Sequence, residues 1–247
     1  MQDALAITAM MLSVVSVLLS GWFSARTVRL SHELDAERER RLEQKSALEA
    51  ASRIYEPLAQ AAAELQGRIY NIVKSGWVDL VERYASHGDY AETSTAFLFA
   101  HYFGWVEARR QAVLTSSGAG DRDAAVSAAI DHVRQILRKT EHEEGFLFYQ
   151  VEQRGIGELM FSWDSIDGTG VRLPHVDGYA AFCTRYRDDA GFRRWFQPVD
   201  AGIELVAAGQ CARLVEIHGA LLGLIRELDP TRKYTSRFDL RPIAAAG

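Results

Sequence analysis

A chain of 247 residues holds one or two globular domains, and 48% hydrophobic with 25% charged residues excludes wholesale disorder. The net charge of −5, from 28 basic and 33 acidic residues, leaves no general basic surface and argues against a nucleic-acid partner. Two cysteines, Cys183 and Cys211, make neither a disulfide framework nor a paired zinc motif.

Residues 4–25, ALAITAMMLSVVSVLLSGWFSA, carry no charge between Asp3 and Arg26. About 20 apolar residues at roughly 1.5 Å each cross a hydrocarbon core of about 30 Å, so a transmembrane helix is expected here. Trp22 and Phe23 stand at one end, where aromatic side chains favour the membrane interface. A cleaved signal peptide would need a basic start, a shorter apolar core and a small-x-small exit, and the sequence has none of these. Arg26, Arg29, Arg38, Arg40, Arg41 and Lys45 follow the span, whereas the other flank offers only Asp3 and the α-amine. That asymmetry predicts a single-pass protein with its N-terminus out and the rest in the cytoplasm. The 24 Arg against 4 Lys fit a GC-rich bacterial genome, so the expected location is a bacterial inner membrane. Ala6, Ala9, Ser13, Ser16 and Ser20 recur at steps of three and four, one stripe of a helix. Small residues let helix backbones approach closely in lipid, so the stripe predicts self-association and a homo-oligomer. The competing reading has each serine bonding its own i−4 carbonyl and facing lipid.

Residues 26–56 contain no Gly or Pro and few apolar positions, which predicts a charged, solvated helical stalk or a weak coiled coil. Glu37 with Arg41, and Asp35 with Arg38, stand at favourable helical spacings. Pro57 is expected to end or kink this helix. An all-α cytoplasmic domain, a helical bundle over 57–228, then follows. Its first core helix carries the stripe Ile54, Leu58, Ala61, Ala62, Leu65, Ile69, Ile72 and Val73 and is expected to run to Tyr84. Asp89 reads as an N-cap. The uncharged TSTAFLFAHYFGWV, residues 93–106, is too short to span a bilayer and reads as a buried central helix. SSGAGDRD at 116–123 is a loop leading into a helix ending near Lys139. FLFYQVEQRGIGELMF at 146–161 reads as an extended lead into a helix, and 162–174 as a long loop. Helices are expected at 176–188 and 190–197, and a last long one at 202–228 stopped by Pro230. The tail 229–247 is expected to be mobile.

The standard chemical signatures are absent: no phosphate loop, no H-E-x-x-H, no C-x-x-C and no G-x-S-x-G. Glu141, His142, Glu143 and Glu144 read as a solvated acidic turn, because adjacent residues cannot all converge on one ion. Asp131-His132 and His175-x-Asp177 are isolated fragments of metal-hydrolase motifs, and His101 sits in an aromatic core helix. No metal or cofactor is therefore expected. Glu152, Arg154 and Glu158 stand out in the segment EQRGIGE. Arg154 and Glu158 are four apart and pair on a helix. Gly155 and Gly157 weaken that helix unless something must approach it closely. Two readings result: an ion pair beneath tight helix packing, or a small polar pocket in which Arg154 takes an anionic ligand.

The block F-x-x-x-E-Q-R-x-I-G-E-L-M, following a single N-terminal membrane helix, resembles bacterial hypothetical proteins with an anchored helical cytosolic domain. The resemblance covers this block and the overall layout; it implies that layout and brings no activity or site residue. The expected role is a membrane-tethered, non-enzymatic interaction or sensing module with the lipid bilayer, a second copy and a further protein as partners. The alternative is a membrane-anchored enzyme, such as a metal-dependent hydrolase, whose site is assembled from residues distant in sequence.

Overall fold

The computed structural model describes residues 37, 41, 52–84, 89–115, 121–141, 145–164 and 172–243. The expected span at 4–25, its stripe Ala6, Ala9, Ser13, Ser16 and Ser20, and most of the stalk lie outside the described residues. Glu37 and Arg41 are both helical, and Arg41 Nη2 donates to Glu37 Oε1 at 2.5 Å. The chain divides after Ala51, and the unit Ser52–Gly247 holds the elements below.

Helix α1 covers 52–74, and its stripe from Ile54 to Ile72 is buried as the spacing predicts. It does not end at Pro57: residues 52–56 are already helical, and Ile54 and Leu58 are buried on either side of the proline. Packing there outweighs the missing N–H. The expected continuation to Tyr84 is interrupted instead at Ser75–Gly76. Ser75 N–H closes on the Asn71 carbonyl, and Gly76 at φ +57° takes the left-handed conformation that ends a helix. Helix α2, Trp77–Tyr84, then restarts.

Helix α3, Tyr90–Thr115, begins directly after Asp89 and is the longest element described. Phe99, Tyr102 and Phe103 are buried on it, with Phe97 and Trp105 half-buried, so the aromatics pack as core. Helix α4 is Asp121–Leu137 and α5 is Gln150–Met160, entered through an extended lead. The following stretch is not entirely loop. Strands β1, Phe161–Trp163, and β2, Pro174–Val176, pair antiparallel with Phe161 opposite Val176 and Trp163 opposite Pro174. Val176 is buried against Gly104 of α3, which anchors the hairpin.

Helices α6, Tyr179–Asp188, and α7, Ala190–Arg194, are separated by Asp189, whose side chain accepts the Phe192 N–H at 3.0 Å. The expected single helix at 202–228 is two: α8, Gln197–Ala207, and α9, Ala212–Leu228, bent by 114°. Pro198 in the first turn of α8 starts it earlier than expected, and Gly209 at φ +79° turns the chain between them. No single described helix is long and apolar enough to cross a membrane. The domain is thus mostly helical, all-α with one small hairpin.

Residues 229–243, expected to be a mobile tail, have no regular element, yet they are tied down. Thr235 is fully buried, Ile243 is buried, and Phe238 and Leu240 pack on the core. Asp229 organises this segment by accepting three backbone N–H groups and the Thr235 hydroxyl. A period search finds no helix here because the order comes from one carboxylate.

Two glycines set the α3–α5 contact. A Cβ on Gly157 would lie 2.7 Å from the Phe103 carbonyl oxygen, and one on Gly104 would lie 3.1 Å from Met160 Cβ. Gly157→Ala is therefore expected to destabilise by about 1–2 kcal/mol, because displacing backbone costs more than the roughly 1 kcal/mol of gained helix propensity. Urea unfolding followed by circular dichroism measures it; a stabilised variant would show that the helices separate freely.

Candidate functional site

The three candidate residues of α5 have different fates. Glu152 turns back on its own helix start, where its carboxylate accepts the Tyr149 N–H at 2.7 Å. Arg154 Nε donates to Glu158 Oε1 at 2.8 Å on an exposed face. Glu158 also lies 3.9 Å from Arg110 of α3. Arg110 in turn grips Glu107, a carboxylate 3% exposed, through Nε at 2.7 Å and Nη2 at 2.6 Å. The void beside Arg154, walled by Tyr102, Glu107, Arg134 and Gln153 among others, measures about 10 Å³. That is room for one water, not for an organic anion.

Gly155 reveals what the segment supports. A Cβ there would lie 3.0 Å from the Trp195 ring, so the indole rests directly on this helix turn. Trp195 belongs to an open cleft of about 780 Å³. Leu147, Tyr149 and Glu152 form one side, Arg194, Trp195 and Gln197 the other, and Pro198 and Ala201 also line it. Tyr149 is 51% exposed and Trp195 38%, high values for aromatic rings in this domain. Arg194 makes no hydrogen bond or ion pair among the described residues. The cleft is held in shape by a locked wall. Phe146 takes φ +55°, its N–H donates to the Pro198 carbonyl, and its ring occupies the space a Cβ on Gly202 would fill. A non-glycine residue in that conformation is strained and is kept there by its packing.

The remaining candidates do not converge. His101 Nε2 accepts the Trp105 Nε1–H at 3.1 Å, which fixes the proton of the neutral ring on Nδ1. Burial pushes its pKa down to about 4, so it is uncharged at neutral pH, with Nδ1 3.9 Å from Glu64. His175 lies 3.5 Å from Asp164 and 3.9 Å from Asp177 on the exposed hairpin. Asp131 pairs with Arg134, His132 and Glu141 are exposed, and 142–144 lie outside the described residues. Among the described residues no group of three or more His, Cys, Asp or Glu is placed to hold a metal ion.

Tyr149, Arg194 and Trp195 escape a sequence reading because nothing local distinguishes them; only the approach of α7 and α8 to α5 gathers them. The sole local signal is Gly155, which marks a close approach without naming the partner. Comparison of the chain with protein families, curated proteins and solved structures finds no match.

Proposed function

We propose that the chain is a membrane-tethered, non-enzymatic interaction module that docks a partner protein through the Tyr149–Arg194–Trp195 cleft. The observation that carries this reading is the composition of that cleft: Trp, Tyr and Arg are the residue types that dominate binding energy at protein interfaces. The fitting partner segment presents an apolar anchor for Trp195 and Tyr149 and a carboxylate for Arg194. In the same reading residues 4–25 hold the module to a bacterial inner membrane with the N-terminus out, and the Ala6, Ala9, Ser13, Ser16 and Ser20 stripe pairs two copies. Support for the tether is the uncharged run and the basic flank that follows it.

A photo-crosslinking residue at Tyr149 tests the cleft in cells, with Leu80, an exposed apolar position on α2, as the control site. A discrete crosslinked protein from position 149 alone is expected. Trp195→Ala should weaken its capture about tenfold or more, the effect of truncating an anchor residue. Equal capture from both positions, or indifference to Trp195→Ala, would overturn the reading.

A further inference from the structure

We propose that the occupant of the cleft is a second copy of this chain, docked across a two-fold axis so that Val151 and Glu152 of each copy meet the cleft of the other. The inference rests on the reading of the Tyr149–Arg194–Trp195 cleft as a docking surface and names what fills it.

The cleft fits an apolar anchor with a carboxylate beside it, and the chain carries such a pair at the rim. Val151 is 77% exposed, more than any other large apolar side chain among the described residues. It does not belong to the lining, so it leaves the cleft of its own copy unfilled. Val151 and Gly155 stand four apart on α5 and share a face. The Trp195 indole rests on Gly155, which places Val151 one helical turn from that contact. Tyr149, Val151 and Trp195 therefore crowd exposed apolar surface around the start of one helix, the kind of patch that marks a contact with another protein.

The charges select a like partner. Glu152 lies on one wall and Arg194 on the other. Glu152 Oε2 accepts the Tyr149 N–H, whereas its Oε1 accepts no hydrogen bond among the described residues. Arg194 is unpaired among them as well. A two-fold axis sets each wall against the opposite wall of the other copy, so the Arg194–Glu152 pair forms twice. A partner of one charge sign would suit one wall and oppose the other. Arg154 and Glu158, further along the exposed face of α5, already neutralise each other and add no repulsion between copies. In the tethered reading two copies share one bilayer, which raises their effective concentration and lets a modest contact hold.

The test is made on the full-length chain in cells. A photo-crosslinking residue replaces Tyr149 in one copy, a second copy carries a different tag, and Leu80 again serves as the control position. An adduct bearing both tags is expected from position 149 and not from position 80, with its attachment point within residues 147–155 of the second copy. Val151→Ala, at a position too exposed to matter for folding, should reduce this adduct about threefold or more. Glu152→Arg in both copies, or Arg194→Glu in both, should reduce it about tenfold, because like charges then face each other. Pairing a Glu152→Arg copy with an Arg194→Glu copy should restore it, since every cross-contact again joins opposite charges. An adduct joining position 149 only to a different protein would overturn this inference and leave the docking role of the cleft standing; no adduct at all would overturn both. Two-tag adducts of equal yield from positions 149 and 80, or indifference to Val151→Ala together with no restoration in the mixed pair, would also overturn it.

Discussion

Arg110→Ala is expected to destabilise the domain by about 2–4 kcal/mol at neutral pH, more than an exposed ion pair would, because it strands Glu107. The Glu107 side chain is 3% exposed and accepts two hydrogen bonds from Arg110 and one, at 2.7 Å, from Gln111 Nε2. Without Arg110 the carboxylate keeps its burial but loses two of three donors. Glu107→Gln placed on top of Arg110→Ala removes the stranded charge and should restore part of the loss, a coupling of about 0.5–3 kcal/mol in the double-mutant cycle. Additive losses would mean that Glu107 is already solvated and that the pair matters little.

The pH dependence gives the same experiment a second axis. Burial alone raises the Glu107 pKa, but the hydrogen bonds from Arg110 and Gln111 and the charges of Arg110 and Arg154 outweigh it, so the folded value lies below the unfolded one. The folded protein therefore binds this proton less readily than the unfolded chain. Its stabilisation is fully present above about pH 4.3, the ordinary glutamate value, and is lost as the pH falls through the lowered folded value. In Arg110→Ala the Arg110 contributions vanish and burial weighs against the charged form. The deficit relative to the parent should then shrink as the pH is lowered and Glu107 takes up a proton. A deficit that stays constant from pH 7 to pH 4 would assign it to lost Arg110 packing instead.

Helices were legible where apolar spacing repeats, and function was not, for a physical reason. The α1 stripe and the aromatic α3 announce burial by period alone, since a residue flanked by apolar neighbours at helical spacing has one place to go. The breaks at Gly76 and Gly209 were within reach of the sequence, because a glycine at a helix end is a stop signal, yet apolar spacing continues past both and masks them. The β1–β2 hairpin is only three residues deep and is stabilised by Val176 against Gly104, a contact across more than 70 positions of chain. The α5 segment shows the limit most clearly. Its charges and glycines identify a constrained turn, but the exposed indole above Gly155 comes from 40 residues further on.

Asp229→Ala is expected to cost about 2–3 kcal/mol and to release the C-terminal segment from the core. One carboxylate serves four donors: Lys233 N–H on Oδ1 at 2.8 Å, then Tyr234 N–H at 2.8 Å, Thr235 N–H at 2.9 Å and Thr235 Oγ1 at 2.9 Å on Oδ2. Thr235 is fully buried, so its donors have no water to turn to when the acceptor goes. Asp229→Asn keeps the shape and one oxygen but turns an amide N–H₂ toward the remaining donors, and should fall between the parent and Asp229→Ala. Burial would raise the Asp229 pKa, yet these hydrogen bonds together hold it below the usual aspartate range. Its contribution is therefore complete above about pH 3.9 and disappears as the pH falls through the lowered folded value. The gap between parent and Asp229→Ala should be flat from pH 5 to pH 8 and close only in stronger acid. Trypsin supplies the local test, because Arg232, Lys233 and Arg237 all lie in this segment. Cleavage there should quicken in Asp229→Ala while the helices before it stay intact, since opening the segment no longer breaks a hydrogen-bonded hub. Equal cleavage rates in both proteins would mean that Phe238, Leu240 and Ile243 hold the segment by packing alone, with Asp229 contributing nothing to its order.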